Sequence, residues 1–237
     1  MENPVDKVDK SRKRRELSLH GPVLGLFAKQ PRAGQVKTRL IPPLTAIEAR
    51  ELYHAALAES VTGFASSPAT VVICGAGRSR WFARTFPDVP FLAQGRGDLG
   101  ARLRRAVAAL FAAGGGPVAV AGSDSPDLPP ELIAEAFAAL ATADVAAIGT
   151  VDGGYALLAL RRPMPQLFMD MPWSSDRVLA RTRQRAEALN LRFVTVGSWD
   201  DLDDLPALER LLARSPQCAT ARYLRAHLGS RICAGCG

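Results

Sequence analysis

The chain has 237 residues, of which 48% are hydrophobic, and this is enough for one sizeable domain with its own core. Its 30 Lys and Arg residues exceed its 23 Asp and Glu residues, and the formal net charge of +7 suits a polyanionic partner such as a nucleotide. No stretch approaches the roughly 18 uninterrupted apolar residues of a membrane span, and four cysteines are too few for a disulfide scaffold. We therefore expect a cytoplasmic protein without a membrane span.

The chain begins with a polar, basic segment and then turns apolar. Residues 1–21 predict a disordered basic tail, residues 22–214 one domain, and residues 215–237 a C-terminal helix and tail. The domain opens with VLGLFAK at 23–29, an apolar run that predicts a buried strand. Clustered cations and a glycine follow it, namely Lys29, Arg32, Gly34, Lys37 and Arg39. Such a loop predicts a site for nucleotide phosphates, with a solvated basic loop as the alternative.

Helical and strand-like patterns alternate after this loop. Thr45 and Glu48 have the spacing of a capping box, and a helix is predicted from there to about residue 64. Further helices are predicted at 78–86, 98–113, 129–140, 175–189, 205–212 and 219–228, and further strands at 70–74, 90–93, 117–121, 144–149, 155–160 and 192–196. The alternation predicts an α/β three-layer sandwich with a mostly parallel central sheet, in which the strand after Asp152 departs from the parallel order.

Carboxylates follow several of the predicted strands. Asp124 comes directly after the strand at 117–121, and ligands bind beyond the carboxyl ends of strands in an open sheet, so it is placed to hold Mg²⁺ or Mn²⁺. Asp127 is a weaker metal candidate that equally suits the N-cap of the next helix. Asp203 belongs to a second acidic cluster at 201–204, a composition that the N-terminus of a helix also favours.

Two further loops combine an acid with glycine or arginine. Asp152 precedes Gly153 and Gly154. The acid could act as general base on an acceptor hydroxyl while the glycines let a substrate approach the backbone, or the three residues could simply form a tight turn. Asp98 opens a helix before Arg102, where a phosphate or a nucleotide base could bind, or where Asp98 only caps the helix.

Six motifs resemble, in the same order, those of the cofC-like glycosyltransferases, relatives of 2-phospholactate guanylyltransferase and of the molybdenum-cofactor nucleotidylyltransferases. They are AKQPRAGQVKTRL at 28–40, GDLGARL at 97–103, GSDSPDL at 122–128, DGGYALLAL at 152–160, PWSS at 172–175 and DLDDL at 201–205. The resemblance implies the nucleotide-diphospho-sugar transferase (GT-A) fold and supports a metal site at Asp124 and Asp203. It also implies that Ser174 and Ser175 line an acceptor pocket.

Three functions are compatible with these residues. The leading hypothesis is metal-dependent glycosyl transfer from a nucleotide sugar to a small-molecule acceptor. The alternatives are nucleotidyl transfer from a nucleoside triphosphate with release of pyrophosphate, and non-catalytic binding of a nucleotide or, less in keeping with the motifs, a nucleic acid. Cys233 and Cys236 could form a zinc site with Cys218 and His227, but their irregular spacing favours adventitious thiols.

Overall fold

The computed structural model describes residues 17–232. In this part of the chain one sheet contains seven strands: β1 (Val23–Lys29), β2 (Thr70–Ala76), β3 (Phe91–Ala93), β4 (Val118–Gly122), β5 (Val145–Thr150), β6 (Tyr155–Leu160) and β7 (Phe193–Trp199). Their order across the sheet is β3-β2-β1-β4-β6-β5-β7. β6 runs antiparallel to both of its neighbours, whereas the other pairs are parallel. The predicted departure from parallel order after Asp152 is confirmed.

The described residues also form seven α-helices. They are α1 (Ala46–Ala65), α2 (Ser79–Thr85), α3 (Leu99–Ala112), α4 (Pro130–Ala139), α5 (Val178–Ala188), α6 (Leu205–Arg214) and α7 (Ala219–Ile232). Short 3₁₀ turns lie at Thr38–Leu40 and Pro165–Phe168. Within residues 17–232 no helix combines the length and apolar character that a membrane crossing requires.

The alternation of side chains along β1 explains why helices cover both faces of the sheet. Leu24 and Leu26 lie in the core cluster that contains the buried faces of α1 and α4. Val23 lies in the cluster on the other face, which contains Leu110 of α3. Because successive side chains of a strand point to opposite faces, one strand is covered on both sides. The predicted three-layer α/β fold is confirmed.

The loop between β1 and α1 is anchored from two directions. At its end, the predicted capping box is present: the Glu48 N–H donates to the Thr45 hydroxyl, and the Thr45 N–H donates to the Glu48 carboxylate at 2.7 Å. Within the loop, Leu40 and Leu44 are buried in a cluster with α1, α6 and α7. The two C-terminal helices therefore help to fix the cationic loop.

The chain already packs on this domain before residue 22. Leu19 is 3% exposed, and its N–H donates to the carbonyl oxygen of Ala113 at 2.7 Å. At the other end, Leu224 and Leu228 of α7 are fully buried. Apolar side chains before residue 22 and after residue 214 therefore also pack on the domain.

Candidate active site at the carboxyl edge of the sheet

The acidic and basic motifs meet at one edge of the sheet. β1, β4, β5 and β7 point the same way, so their carboxyl ends lie on the same edge. Lys29 ends β1, Asp124 follows β4, Asp152 follows β5 and Asp203 follows β7. The Leu202 N–H donates to the carbonyl oxygen of Asp124 at 2.8 Å, which ties the last acidic loop to the loop after β4.

A cavity of about 510 Å³ lies over the ends of β1 and β4, and we call it the cationic cavity. Four cationic side chains line it: Lys29, Lys37, Arg39 and Arg102. Its other polar lining residues include Asp124, Asp203, Tyr53, Ser123 and Gln94. Lysine and arginine together offer the point charges and forked donors that phosphate groups bind.

A second cavity of about 450 Å³ adjoins it, and we call it the acidic cavity. Its carboxylates are those of Asp152, Asp176, Asp201 and Asp203. Its apolar and aromatic lining includes Phe27, Leu103, Val120, Tyr155 and Trp173. Phe27, Arg39, Trp173, Ser174 and Asp203 line both cavities, so the two form one continuous cleft.

Lys37 connects two of the acidic motifs. Its ammonium donates to Asp124 Oδ1 at 2.5 Å and to Asp203 Oδ1 at 3.2 Å, and Arg39 Nη1 donates to Asp203 Oδ2 at 3.3 Å. The Lys37 side chain is 3% exposed, whereas those of Asp124 and Asp203 are 46% and 39% exposed. The cleft therefore presents two accessible carboxylates that share one buried cation.

The ionisation of these groups follows from their proximity. Burial lowers the pKa of Lys37, but the charges of Asp124 and Asp203 outweigh it, and the net pKa is raised. Burial raises the pKa of Asp124, but the charge and hydrogen bond of Lys37 outweigh it, and the net pKa is lowered. Burial, with the negative charges of Asp203, Asp152 and Asp124, raises the pKa of Asp201 to about 6. The Asp201 carboxyl group therefore keeps its proton to a higher pH than an isolated aspartate does.

The backbone of Lys37 is held in an uncommon conformation. Lys37 has φ 47° and ψ 40°, the left-handed region that residues with a Cβ avoid. Val36 and Leu40, on either side of it, are buried at 4% and 0% exposure. The packing of these neighbours holds the turn, and the turn directs the ammonium between the two carboxylates. A local strain of this kind persists where the surrounding structure over-determines it.

Tyr53 and Ser123 support the end of β1 from beneath the cationic cavity. The Lys29 N–H donates to the Tyr53 hydroxyl at 2.9 Å, and the hydroxyls of Tyr53 and Ser123 are also hydrogen-bonded at 2.9 Å. Burial, with the charge of Asp124, raises the pKa of Tyr53 to about 12. Tyr53 falls within the helix predicted after Thr45, and no local signal distinguishes a core tyrosine from one under a cleft.

Gln94 is a residue of the cleft that the motifs did not single out. It is 5% exposed, and its amide nitrogen donates to the carbonyl oxygens of Cys74 and Ala28 at 2.7 and 3.3 Å. Its amide oxygen accepts a hydrogen bond from Arg102 Nη1 at 3.0 Å. Gln94 therefore links the ends of β1 and β2 to the guanidinium predicted to bind a nucleotide.

Asp98 caps α3, which is one of the two roles predicted for it. Its carboxylate accepts the Ala101 N–H at 2.7 Å, and the Arg102 side chain donates to the Asp98 carbonyl oxygen. Arg102 lines the cationic cavity, but Asp98 lines neither cavity. Asp98 therefore supports the cleft by starting the helix that carries Arg102.

The loop after β5 forms a tight turn, which was one of the two predictions for Asp152. Asp152 Oδ1 accepts hydrogen bonds from the Thr150 hydroxyl and, at 3.1 Å, from the Gly154 N–H. Gly153, predicted to let a substrate approach, lines neither cavity, and a Cβ there would lie 2.0 Å from the carbonyl oxygen of Asp176. The chain itself makes the close approach. Asp152 and Gly154 still line the acidic cavity.

Ser174 and Ser175, the serines of the PWSS motif, both line the cleft. Ser174 lines both cavities and has φ 64°, and Ser175 lines the acidic cavity. The Ser175 hydroxyl donates to the Pro172 carbonyl oxygen at 2.7 Å and accepts the Arg177 N–H at 3.3 Å. This turn delays the start of α5 to Val178, three residues after the predicted start.

Arg32 and Gly34 lie apart from the cleft, contrary to their grouping with the other loop residues. Neither residue lines the cationic or the acidic cavity. Both are exposed, and the Arg32 guanidinium donates to the side-chain oxygen of Gln30 at 3.4 Å. Gly34 has φ 73° and no atom within 4 Å of a Cβ built on it, so its role here is to allow the turn. The loop folds with only part of its charge facing the sheet edge.

Asp127 occupies a different environment from Asp124. Its two carboxylate oxygens accept hydrogen bonds from Arg214 at 2.7 and 3.0 Å, from the Ser215 hydroxyl at 2.6 Å and from Trp199 Nε1 at 3.1 Å. The N-cap interpretation is wrong, because α4 begins after Pro129 without a side-chain cap. Burial raises the pKa of Asp127, but the hydrogen bonds from Arg214, Ser215 and Trp199 outweigh it and lower it overall.

The donor set at Asp124 and Asp203 fits a hard divalent cation that brings other oxygen ligands with it. Both residues supply carboxylate oxygens that solvent reaches, and both face the cavity lined with phosphate-binding cations. Among residues 17–232 no group of three or more His, Cys, Asp and Glu side chains is arranged to hold a metal ion. Cys233 and Cys236 of the proposed zinc motif lie outside the described residues.

Comparison with solved structures relates this chain to known proteins. A protein from Desulfovibrio desulfuricans G20, named a "putative nucleotide-diphospho-sugar transferase", is 29% identical with a TM-score of 0.81, over 90% of this chain and 96% of that one. The Rv0371c homolog from Mycobacterium sp. strain JC1 is 16% identical with a TM-score of 0.53, over 82% and 97% of the two chains. The bifunctional IspDF of Campylobacter jejuni is 12% identical with a TM-score of 0.52, over 79% of this chain and 54% of that one.

The last two similarities show the fold alone, while the first extends over nearly the whole of both chains. The first similarity confirms the predicted resemblance to the nucleotide-diphospho-sugar transferases and their α/β fold. A search of curated proteins found no match. Residues 57–175, half of the chain, match the model of a family described as an uncharacterized protein conserved in bacteria, DUF2064, and the chain therefore belongs to that family.

Proposed function

We propose that the protein transfers a glycosyl group from a nucleotide-activated sugar to a small acceptor. The observation that carries the proposal is the cleft itself, in which a cavity lined by four cations adjoins one lined by four carboxylates. The two cavities suit two substrates of different charge that must meet. The name of the similar protein from Desulfovibrio desulfuricans G20 supports the same class of reaction.

The cationic cavity is the proposed donor site. Lys29, Lys37, Arg39 and Arg102 would neutralise the diphosphate of the donor. As the bond between the sugar and the diphosphate breaks, negative charge grows on the leaving oxygen, and fixed cations stabilise that charge without having to reorganise. Gln94 would keep the Arg102 guanidinium directed at this site.

Asp124 and Asp203 are the proposed ligands of Mg²⁺ or Mn²⁺. A bound divalent cation would supply further stabilisation of charge on the leaving diphosphate. Asp203 lines both cavities, and Asp124, which lines the cationic cavity, is joined to it through Lys37. Their position suits a role at the diphosphate end of the donor.

The acidic cavity is the proposed acceptor site, with Asp152 as the general base. In the transfer, an acceptor hydroxyl oxygen would bond to the anomeric carbon, the nucleoside diphosphate would leave, and the hydroxyl proton would pass to the Asp152 carboxylate. The turn uses Asp152 Oδ1 for its hydrogen bonds. Asp152 is exposed to solvent and its other oxygen, Oδ2, is not part of those bonds.

The charge of this cavity favours glycosyl transfer over nucleotidyl transfer to a phosphorylated acceptor. Four carboxylates and one guanidinium line the acidic cavity, and three of the four carboxylates line this cavity alone. A phosphate brought among them would meet like charge at close range, which costs binding free energy. A neutral or cationic acceptor with an apolar part matches the lining better.

Product analysis tests the proposal directly. The protein would be incubated with Mg²⁺, a set of neutral and phosphorylated hydroxyl compounds as acceptors, a panel of UDP-, GDP-, CDP-, ADP- and dTDP-sugars and, separately, the nucleoside triphosphates. Release of a nucleoside diphosphate from one sugar nucleotide, lost in Asp124→Asn and kept in Asp88→Asn, is the expected result. Asp88 is an exposed aspartate that lines neither cavity. Pyrophosphate release from a triphosphate would instead establish nucleotidyl transfer.

A further inference from the structure

Lys37 lies between the two carboxylates to which metal binding is attributed. Its ammonium is 2.5 Å from an oxygen of Asp124 and 3.2 Å from an oxygen of Asp203. The lysine side chain is 3% exposed, whereas the aspartates are 46% and 39% exposed. The cation is the buried partner, and solvent reaches the carboxylates. The protein without ligand thus already contains a cation shared by this pair.

A divalent cation added to this arrangement would meet a like charge. A metal bound to Asp124 and Asp203 would be held within a few ångströms of the Lys37 ammonium, where repulsion is strong because little water separates the charges. The described residues also provide no third carboxylate, histidine or cysteine arranged with these two as a complete metal site. Mg²⁺ in such sites takes its remaining oxygen ligands from substrate phosphates and water.

A nucleotide diphosphate would remove both obstacles at once. Lysine is a common ligand of phosphate, and Lys37 lines the cationic cavity together with Lys29, Arg39 and Arg102. Phosphate oxygens in that cavity would compete with the carboxylates for the ammonium and would also supply oxygen ligands to a metal. The turn that carries Lys37 is anchored by buried neighbours, so the side chain, rather than the loop, would make the exchange.

We infer that Lys37 is the resident counter-ion of Asp124 and Asp203, and that nucleotide phosphates release this carboxylate pair for Mg²⁺ or Mn²⁺ by drawing the lysine ammonium away. The inference rests on the proposed function in taking a nucleotide as the ligand. Metal and nucleotide then bind cooperatively, and by linkage each raises the affinity of the other by the same factor. The free protein has little affinity for the metal alone.

The test measures Mn²⁺ binding to the nucleotide-free protein by electron paramagnetic resonance, which counts unbound Mn²⁺. Wild-type protein should bind weakly, and Lys37→Met should bind about tenfold more tightly or better, because the competing ammonium is gone. Lys29→Met is the matched control, since it removes one positive charge from the same cavity without breaking a bond to either carboxylate in the structure. Asp124→Asn in the Lys37→Met background should abolish the gain and so locate it.

Two results would overturn the inference. One is tight Mn²⁺ binding by the nucleotide-free wild type that Asp124→Asn removes. The other is an equal gain in Lys29→Met and Lys37→Met, which would indicate a general effect of charge. Circular dichroism melting verifies that each variant is folded.

A second measurement needs no variant. Mn²⁺ binding by wild type would be compared with and without UDP, GDP, CDP, ADP and dTDP, and one of them should raise the affinity. If none does while Lys37→Met still gains, the counter-ion role holds and the proposed nucleotide donor fails. If a nucleotide binds with no change in Mn²⁺ affinity, the exchange fails and the donor site remains supported.

Discussion

Asp124 and Asp127 belong to the same motif, three residues apart, and have opposite environments. Asp124 shares the ammonium of Lys37 with Asp203 and is 46% exposed on a cavity. Asp127 is 3% exposed and accepts hydrogen bonds from the fork of Arg214, a serine hydroxyl and an indole N–H. Both ion pairs join residues 87 positions apart in the chain.

The contact between Lys37 and Asp124 can exchange, whereas the contact between Arg214 and Asp127 is fixed. A single ammonium is a point charge that can leave one carboxylate for a phosphate, whereas a guanidinium fork binds both oxygens of its partner in one plane. Arg214 is further held by Asp200 at 3.0 Å and by stacking over the Trp199 ring at 5.1 Å. Asp124 is therefore available for chemistry, and Asp127 joins the loop after β4 to α6.

Replacement of Asp124 by asparagine should have the largest effect, and on activity. The change removes a proposed metal ligand and the main partner of Lys37, so we expect turnover to fall by about a thousandfold, the scale of losing one charge-stabilising group. Stability should change by about 1 kcal/mol or less, because the site is half exposed and Lys37 keeps Asp203. Nucleoside diphosphate release and thermal melting measure the two effects. Unchanged turnover would remove Asp124 from the mechanism.

Asp127→Asn should produce the reverse pattern, with a large loss of stability. Neutralising Asp127 breaks a buried, hydrogen-bonded ion pair and leaves Arg214 only Asp200, which Arg210 also contacts, so we expect a cost of about 3 kcal/mol. For a chain of this size that corresponds to a fall in Tm of roughly 10 °C. Urea unfolding of this variant and of Asp88→Asn provides the measurement and its control. A loss equal to that of the exposed Asp88 would show that the network contributes little.

The same pair predicts a dependence of stability on pH. The pKa of Asp127 is lower in the folded protein than in the unfolded chain, where it is about 3.9. Its contribution is therefore complete above the unfolded pKa and is lost as the pH falls through the folded pKa. The difference in unfolding free energy between wild type and Asp127→Asn should be constant near neutral pH and shrink in acid. A difference that grows on acidification would contradict this assignment.

Most of the fold could be predicted because its signals are local. The capping box at Thr45 and Glu48, the apolar runs of the strands and the helical spacing of apolar residues each lie within a few turns of chain. The carboxyl-edge rule then predicted that Asp124 lies at the ligand-binding edge of the sheet, without any knowledge of contacts. Position along a strand was sufficient for that step.

Pairing across the chain could not be predicted in the same way. Thirty Lys and Arg residues are possible partners for any aspartate, so nothing local selects Lys37 for Asp124 or Arg214 for Asp127. The glycine of the turn after β5 illustrates the same limit, because the atom that approaches Gly153 belongs to Asp176. Gln94 lacked a signal altogether, since a buried amide is recognisable only from the carbonyl groups around it.

Arg210→Met should have the smallest effect and shows where the fixed network ends. Arg210 donates to the Asp200 carboxylate at 2.6 Å, as Arg214 does at 3.0 Å, but its side chain is 48% exposed against 23% for Arg214. Water screens an exposed pair and its long side chain loses entropy on binding, so removal should cost about 0.5 kcal/mol. Arg214→Met should cost several times more in the same urea unfolding experiment, because it also leaves Asp127 buried without a counter-charge. Equal losses in the two variants would mean that Asp200, rather than Asp127, is the residue that fixes α6 to the sheet.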